Sequence, residues 1–213
     1  FWNQEKQYYS NNTVTANLLP LAFDMVPDTE KETVARQIIH KTVDYYNATI
    51  QCGVIGVQWL MRELVRMGRT DVAYVLATHT KYPGWGYMAA NGATTIWERW
   101  NSYMIDKGMG PRGMNSFNHY AYGCVCEWIW ETVAGIAADP ATPGFKHIIM
   151  KPIPDKRLGH VAAEYRSAAG LIKSAWKYEG DTWIWEFTIP KGVTATVTLP
   201  GEIKSKNYGS GTY

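Results

Sequence analysis

The stretch Pro140-Ala141-Thr142-Pro143-Gly144 separates two textures of sequence. Two prolines and a glycine within it end any helix and mark a turn or linker. Beyond it come short runs: HIIMKP (147–152), HVAAEYRS (160–167), LIKSAWKYEG (171–180), TWIWEFTIP (182–190) and TATVTLP (194–200). Gly170, Asp181, Pro190-Lys191-Gly192 and Pro200-Gly201 punctuate these runs. TWIWEFTIP mostly alternates polar and apolar residues at a period of two, with Ile184 the exception, which is the signature of a half-buried strand. Residues 144–213 therefore read as a small antiparallel β-sandwich. Charge shifts at the same place: residues 1–143 carry 11 basic and 13 acidic side chains, and residues 144–213 carry 10 and 6.

Upstream of the boundary the periodicity is helical. Thr13 or Thr15 caps a segment running to about Val26, with Pro20 as a kink or first-turn position. Asp28 is placed to cap the next helix, and acidic residues in its first turn suit the helix dipole. Val34, Ile38, Ile39, Val43 and Tyr46 keep helical spacing and extend that helix over 28–47. A third helix runs from Val54 to Met67, with Gly68 as the residue that ends it. A fourth spans Thr70 to Thr78, and a long apolar one spans His119 to Ala134. Residues 79–118 between them are rich in Gly, Pro, Trp and Asn; loops this long in a compact domain are usually functional, and their aromatics disfavour disorder. The expected fold is α+β and multidomain, with residues 1–143 as one domain and 144–213 as the other.

Composition narrows the function. Of 213 residues, 46% are hydrophobic and 19% charged, which is globular. A net charge of +2 is too small to imply nucleic acid or an acidic membrane surface as the main partner, and the expectation is neither. No apolar run approaches the roughly 18–20 residues of a membrane span. Ten Trp and fourteen Tyr are unusual; flat rings stack on the apolar faces of sugars, and a large core uses them too. Cys52, Cys124 and Cys126 form no disulfide framework and no zinc-like spacing, and the expectation is free thiols without metal or cofactor. FWNQEKQYYS has neither the basic start nor the apolar stretch of a signal peptide, which leaves localisation unread; the expectation is a piece of a longer chain.

Three stretches carry candidate chemistry. In GATTIWERW (92–100), Glu98 lies between Trp97 and Trp100 and beside Arg99. A carboxylate held ionised by the arginine suits a general base that activates water. The plainer alternative is a Glu–Arg pair at a helix start capped by Thr94 or Thr95. In NSFNHYAYG (115–123), His119 can bond a sugar hydroxyl or be purely structural. Asn115 and Asn118 can act as caps or as hydroxyl binders. In YPGWGY (82–87), glycines on either side of Trp85 let the backbone turn and present the ring as a stacking platform, or pack it within a loop.

Helical hairpins with long aromatic loops followed by a β-sandwich suit a helical-barrel carbohydrate enzyme. These helices are too few to close an (α/α)6 barrel, so the remainder would lie upstream. The three stretches, in order with VAGIAADPATPGFKHIIMKP (133–152), resemble the bacterial α-L-rhamnosidases of glycoside hydrolase family 78. GVIGVQWLMRELVRMGRTDVAYVLATHTKYP (53–83) is also similar, and the resemblance covers roughly residues 11–200. It implies a partial (α/α)6 helical barrel followed by a C-terminal β-domain, and an inverting glycosidase. It implies Glu98 as general base and His119 as a rhamnose contact; Trp97, Trp85 and Asn118 join them as substrate-binding candidates on their own chemistry. The implied partner is a rhamnose-containing glycoside or polysaccharide.

One departure matters. Inversion needs a second carboxyl, a general acid, roughly 6.5–9.5 Å from the base. The family's acid-bearing Asp/Arg/Glu-rich segment is absent here. Glu63, Glu127 and Glu131 sit within apolar helices and match no acid motif. The expectation is a C-terminal portion that is inactive alone. The alternatives are a non-catalytic carbohydrate-binding module and a different α/α-barrel glycosidase or lyase. A partial barrel would also expose apolar helix faces, which predicts self-association.

Overall fold

The computed structural model describes residues 1–213. The fold is α+β and divides into two compact units, Phe1–Val125 and Cys126–Tyr213.

The first unit opens with a two-stranded ribbon, β1 (Trp2–Asn3) with β2 (Tyr8–Tyr9). Helices α1 (Val14–Ala22), α2 (Asp28–His40), α3 (Val54–Arg66), α4 (Thr70–Thr78) and α5 (Trp85–Ala90) follow. Thr13 caps α1, its Oγ1 accepting from Ala16 N at 3.1 Å. Asp28 does not cap α2. It is the first helical residue after Pro27, and its carboxylate pairs with Lys31 Nζ at 2.8 Å instead. Proline takes the flanking position because its fixed φ suits the entry to a helix. A five-residue π-turn, Lys41–Tyr45, continues α2. The apolar stripes of α1, α2 and α3 bury Leu18, Val34, Ile38, Leu60 and Leu64 completely. Gly56 lets α3 lie close to α1, because a β-carbon there would press on the Thr15 side chain. Gly68 closes α3 with φ +70°, the left-handed geometry a glycine adopts without strain.

Residues 94–100, a possible helix start on sequence, are not helical. The backbones of Ile96 and Glu98 pair across to residues 116–119, and Arg99 closes a local turn with Ser102. A small ribbon, β3 (Tyr103–Met104) with β4 (Gly108–Met109), follows. The long helix expected over 119–134 begins at Ala121 and changes pitch twice. It is a 3₁₀ turn at Ala121–Cys124, the short helix α6 at Val125–Trp128, and a π-turn at Ile129–Val133.

In the second unit, β5 (Ile136–Ala138), β6 (His147–Met150), β10 (Thr194–Val197) and β11 (Lys206–Tyr208) form one sheet in the order β11-β10-β6-β5. The other sheet is β12-β9-β8-β7, built from β7 (His160–Ser167), β8 (Gly170–Glu179), β9 (Thr182–Ile189) and β12 (Gly211–Thr212). Both contribute to one core, with Ile148, Met150 and Ala195 from the first facing Ile172, Phe187 and Ile189 from the second. The sandwich is not wholly antiparallel: β6 and β10 run parallel. Parallel pairing requires a long crossover, which β7–β9 supply. His147 braces it, with Nδ1 2.7 Å from Thr194 Oγ1 and Nε2 2.9 Å from Thr196 Oγ1. The PATPG stretch lies inside this unit, between β5 and β6, because β5 joins the sheet of β6.

Candidate active site

Two loop segments of the first unit lie side by side. Glu98 N–H donates to the Ser116 carbonyl at 2.9 Å, and His119 N–H donates to the Ile96 carbonyl at 2.8 Å. The Thr95 hydroxyl donates to the Phe117 carbonyl. These bonds bring Glu98 and His119 onto neighbouring strands of chain from positions 21 residues apart in sequence.

The Glu98 carboxylate is held at one oxygen. Ser116 N–H donates to Oε2 at 2.8 Å, while Oε1 accepts no hydrogen bond from the chain. The side chain is partly exposed. Arg99 does not pair with it; the guanidinium Nε donates to the Met114 carbonyl at 2.7 Å and so ties the second loop from its other end. The Glu–Arg pair drawn from adjacency is therefore absent: each side chain is committed to the backbone of the second loop, Glu98 at Ser116 and Arg99 at Met114.

Trp97 is only 3% exposed and packs edge-on against Phe117, with ring centroids 5.5 Å apart. It forms a buried wall behind Glu98 rather than an open platform. Asn118 is exposed, its N–H bonded to Ser116 Oγ at 3.1 Å. His119 is half-buried; Nδ1 accepts from Ala121 N at 3.3 Å, which leaves Nε2 as the ring nitrogen without a partner in the chain.

Trp85 opens α5 and is fixed at its far end. Its Nε1 donates to the Tyr122 carbonyl at 2.8 Å, and its ring stands edge-on to Trp100, which stacks on Tyr122 at 3.8 Å. Burial pushes the Tyr122 phenol above its ordinary value. Trp85 lines a cavity of about 300 Å³ with Met88, Ala89, Ala93, Thr94, Thr95 and Ile96. Glu98, Asn118 and His119 do not line this cavity. It adjoins them through Ile96, whose carbonyl binds His119. Sequence spacing gave no sign of Ser116 as the donor to Glu98, because that contact is made by its backbone.

Glu63 is buried and bound through Oε1 to Arg66 Nη1 at 2.8 Å, so its carboxylate is already committed. No group of three or more His, Cys, Asp or Glu side chains is placed to hold a metal ion.

The first unit is mostly helical and presents a half-anchored carboxylate among tryptophans; the second is a β-sandwich. Residues 1–133 match the bacterial α-L-rhamnosidase 6-hairpin glycosidase domain, and residues 135–213 match the bacterial α-L-rhamnosidase C-terminal domain. The chain belongs to the bacterial α-L-rhamnosidase family. An α-L-rhamnosidase of Formosa agariphila is 38% identical over 188 residues, covering 88% of this chain and 20% of that one. The α-L-rhamnosidase of Streptomyces avermitilis, solved in complex with L-rhamnose, superposes with a TM-score of 0.84 at 28% identity, covering 98% of this chain and 22% of the other. That of Aspergillus terreus superposes with a TM-score of 0.90 at 30% identity, covering 100% and 25%. The chain thus spans about a fifth to a quarter of the length of these relatives.

Proposed function

We propose that this chain carries the water-activating side of an active site that releases terminal α-L-rhamnose from a glycoside or polysaccharide, with inversion. The observation that carries the reading is the state of Glu98: Oε2 is fixed by Ser116 N–H, and Oε1 is free to take a proton. A carboxylate fixed at one oxygen can receive a water at the other in a single orientation, which is what general-base catalysis requires. In the step, Glu98 Oε1 accepts a proton from water. The water oxygen bonds to the anomeric carbon on the face opposite the leaving aglycone, and the bond to the aglycone oxygen breaks. That oxygen takes its proton from a carboxylic acid.

The acid belongs, on this reading, to helices outside this chain, which would complete an (α/α)6 barrel with α1–α5. Residues 1–133, those that match the 6-hairpin domain, are then the C-terminal half of that barrel domain, with the boundary ahead of β5 rather than at residue 143. The chain alone is inactive, and helix faces left uncovered would make it associate at high concentration. His119 binds a sugar hydroxyl through Nε2, Asn118 binds another, Trp85 stacks on the ring, and Trp97 backs the base.

The test is the configuration of the first product. The chain, extended upstream by the remaining hairpins, is given an aryl α-L-rhamnoside and followed by proton NMR. The β anomer appearing first supports the reading; the α anomer appearing first overturns inversion and the base role together.

A further inference from the structure

The glycines around Trp85 have a steric cause. A β-carbon on Gly84 would lie 2.8 Å from His79 Cε1 and 3.1 Å from Nε2, and one on Gly86 would overlap the His79 carbonyl oxygen. Real β-carbons essentially never approach within 3.0 Å. The chain on both sides of Trp85 therefore lies flush on one residue, the histidine that ends α4. A third contact completes the hold: Lys81 N–H donates to His79 Nδ1 at 3.1 Å.

That bond settles the state of the ring. A backbone amide only donates, so Nδ1 must offer its lone pair, and the neutral imidazole carries its proton on Nε2. Nε2 is itself buried and meets no hydrogen-bond partner. The metal and acid–base roles that a histidine usually serves are excluded by the same geometry: one nitrogen is occupied by the loop and the other is covered by it.

We propose that His79 is a positioning residue for Trp85. Its Cε1–Nε2 edge at Gly84 and its Nδ1 at Lys81 set the path of residues 81–86, while Tyr122 and Trp100 hold the indole at its other end. Together they fix the orientation in which Trp85 meets a sugar at the 300 Å³ cavity. This rests on the reading of Trp85 as a sugar-stacking ring. Loss of the anchor loosens binding of the substrate without touching the chemical step, so it acts on KM rather than kcat.

The test compares two amides in the extended, active chain. His79→Asn places its oxygen where Nδ1 stands, whereas His79→Gln places it near Nε2 and leaves Lys81 N–H unmet. With p-nitrophenyl α-L-rhamnoside, His79→Gln is expected to raise KM about fivefold, the effect of one hydrogen bond. His79→Asn is expected to restore KM to within about twofold of the unaltered protein, and kcat to hold in both. Equal KM values for the two variants, or a loss of kcat at constant KM, would overturn the proposal. Trp85→Ala separates the two levels. An unchanged KM in that variant removes the stacking role of Trp85, and the anchor's purpose with it. A raised KM there, with His79→Gln unaffected, removes the anchor alone. A second measurement needs no variant to fold: ¹⁵N shifts of the His79 ring at neutral pH are expected to show unprotonated Nδ1 and protonated Nε2. The reverse tautomer would overturn the proposal.

Discussion

Glu98 and Ser116 clamp each other through two hydrogen bonds. Glu98 N–H donates to the Ser116 carbonyl at 2.9 Å, and Ser116 N–H returns to Glu98 Oε2 at 2.8 Å. One residue thus fixes both the backbone and the carboxylate of the proposed base. The Arg99 guanidinium, bound to the Met114 carbonyl, keeps the Ser116 segment in place.

Removing the clamp should weaken catalysis more than binding. Ser116→Pro deletes the N–H that holds Oε2, and a freely rotating carboxylate loses its alignment with water. In the extended chain kcat is expected to fall about tenfold to a hundredfold, with KM changed less. Steady-state kinetics beside a circular-dichroism melt checks this; a properly folded variant with unchanged kcat would count against the clamp.

The second unit hinges on a buried hydroxyl. Ser174 is fully buried; its Oγ donates to the Ala134 carbonyl at 2.6 Å and accepts from Trp185 Nε1 at 2.9 Å. Ser174→Ala leaves an acceptor and a donor unmet in the core. It should destabilise this unit by about 2 kcal/mol, read from urea unfolding. A change below about 0.5 kcal/mol, the usual effect of a surface substitution, would show that neither group depends on Ser174.

Stability should also depend on pH through His79. Burial, and then the nearby Lys81, hold its pKa below the ordinary 6.5. The folded ring therefore binds fewer protons than the unfolded one. Its contribution is present above about pH 6.5 and is lost as pH falls through the lower folded value. The paired carboxylates Asp28, Asp71 and Glu164 are shifted down from 3.8, 3.8 and 4.5, so they act only in more acid solution. The melting temperature is expected to drop between pH 7.5 and 5.5, and less so in His79→Asn. Equal slopes for the two proteins would contradict the assignment.

Thiol chemistry offers a simple check of packing. Burial pushes the Cys52 thiol up to about 11, whereas Cys126 is exposed. At pH 8 a disulfide reagent should label Cys126 quickly and Cys52 only on unfolding. Rapid labelling of Cys52 in the native protein would mean that the contact between α1 and α3 opens readily.

The sequence was most legible where structure is local. The limits of α4 match its periodicity, and Gly68 ends α3 as its position suggests. Helix α5 was hidden because Trp85–Ala90 is too short to show a period and begins among glycines. The parallel pairing of β6 with β10 was illegible for a different reason: register between strands 47 residues apart leaves no local trace. The same holds at the site. Motifs named Glu98, His119 and Trp85, but backbone bonds across the loops decide how they meet. The Ser116 N–H and the space filled by His79 are invisible to any reading of side-chain spacing.

The most direct test of the account is the turnover of p-nitrophenyl α-L-rhamnoside by the extended chain carrying Glu98→Gln. The amide keeps the shape of the carboxylate but cannot take a proton from water. The account predicts that kcat falls by about a hundredfold or more while L-rhamnose still binds. A Glu98→Gln protein that keeps kcat within about tenfold would contradict Glu98 as the base.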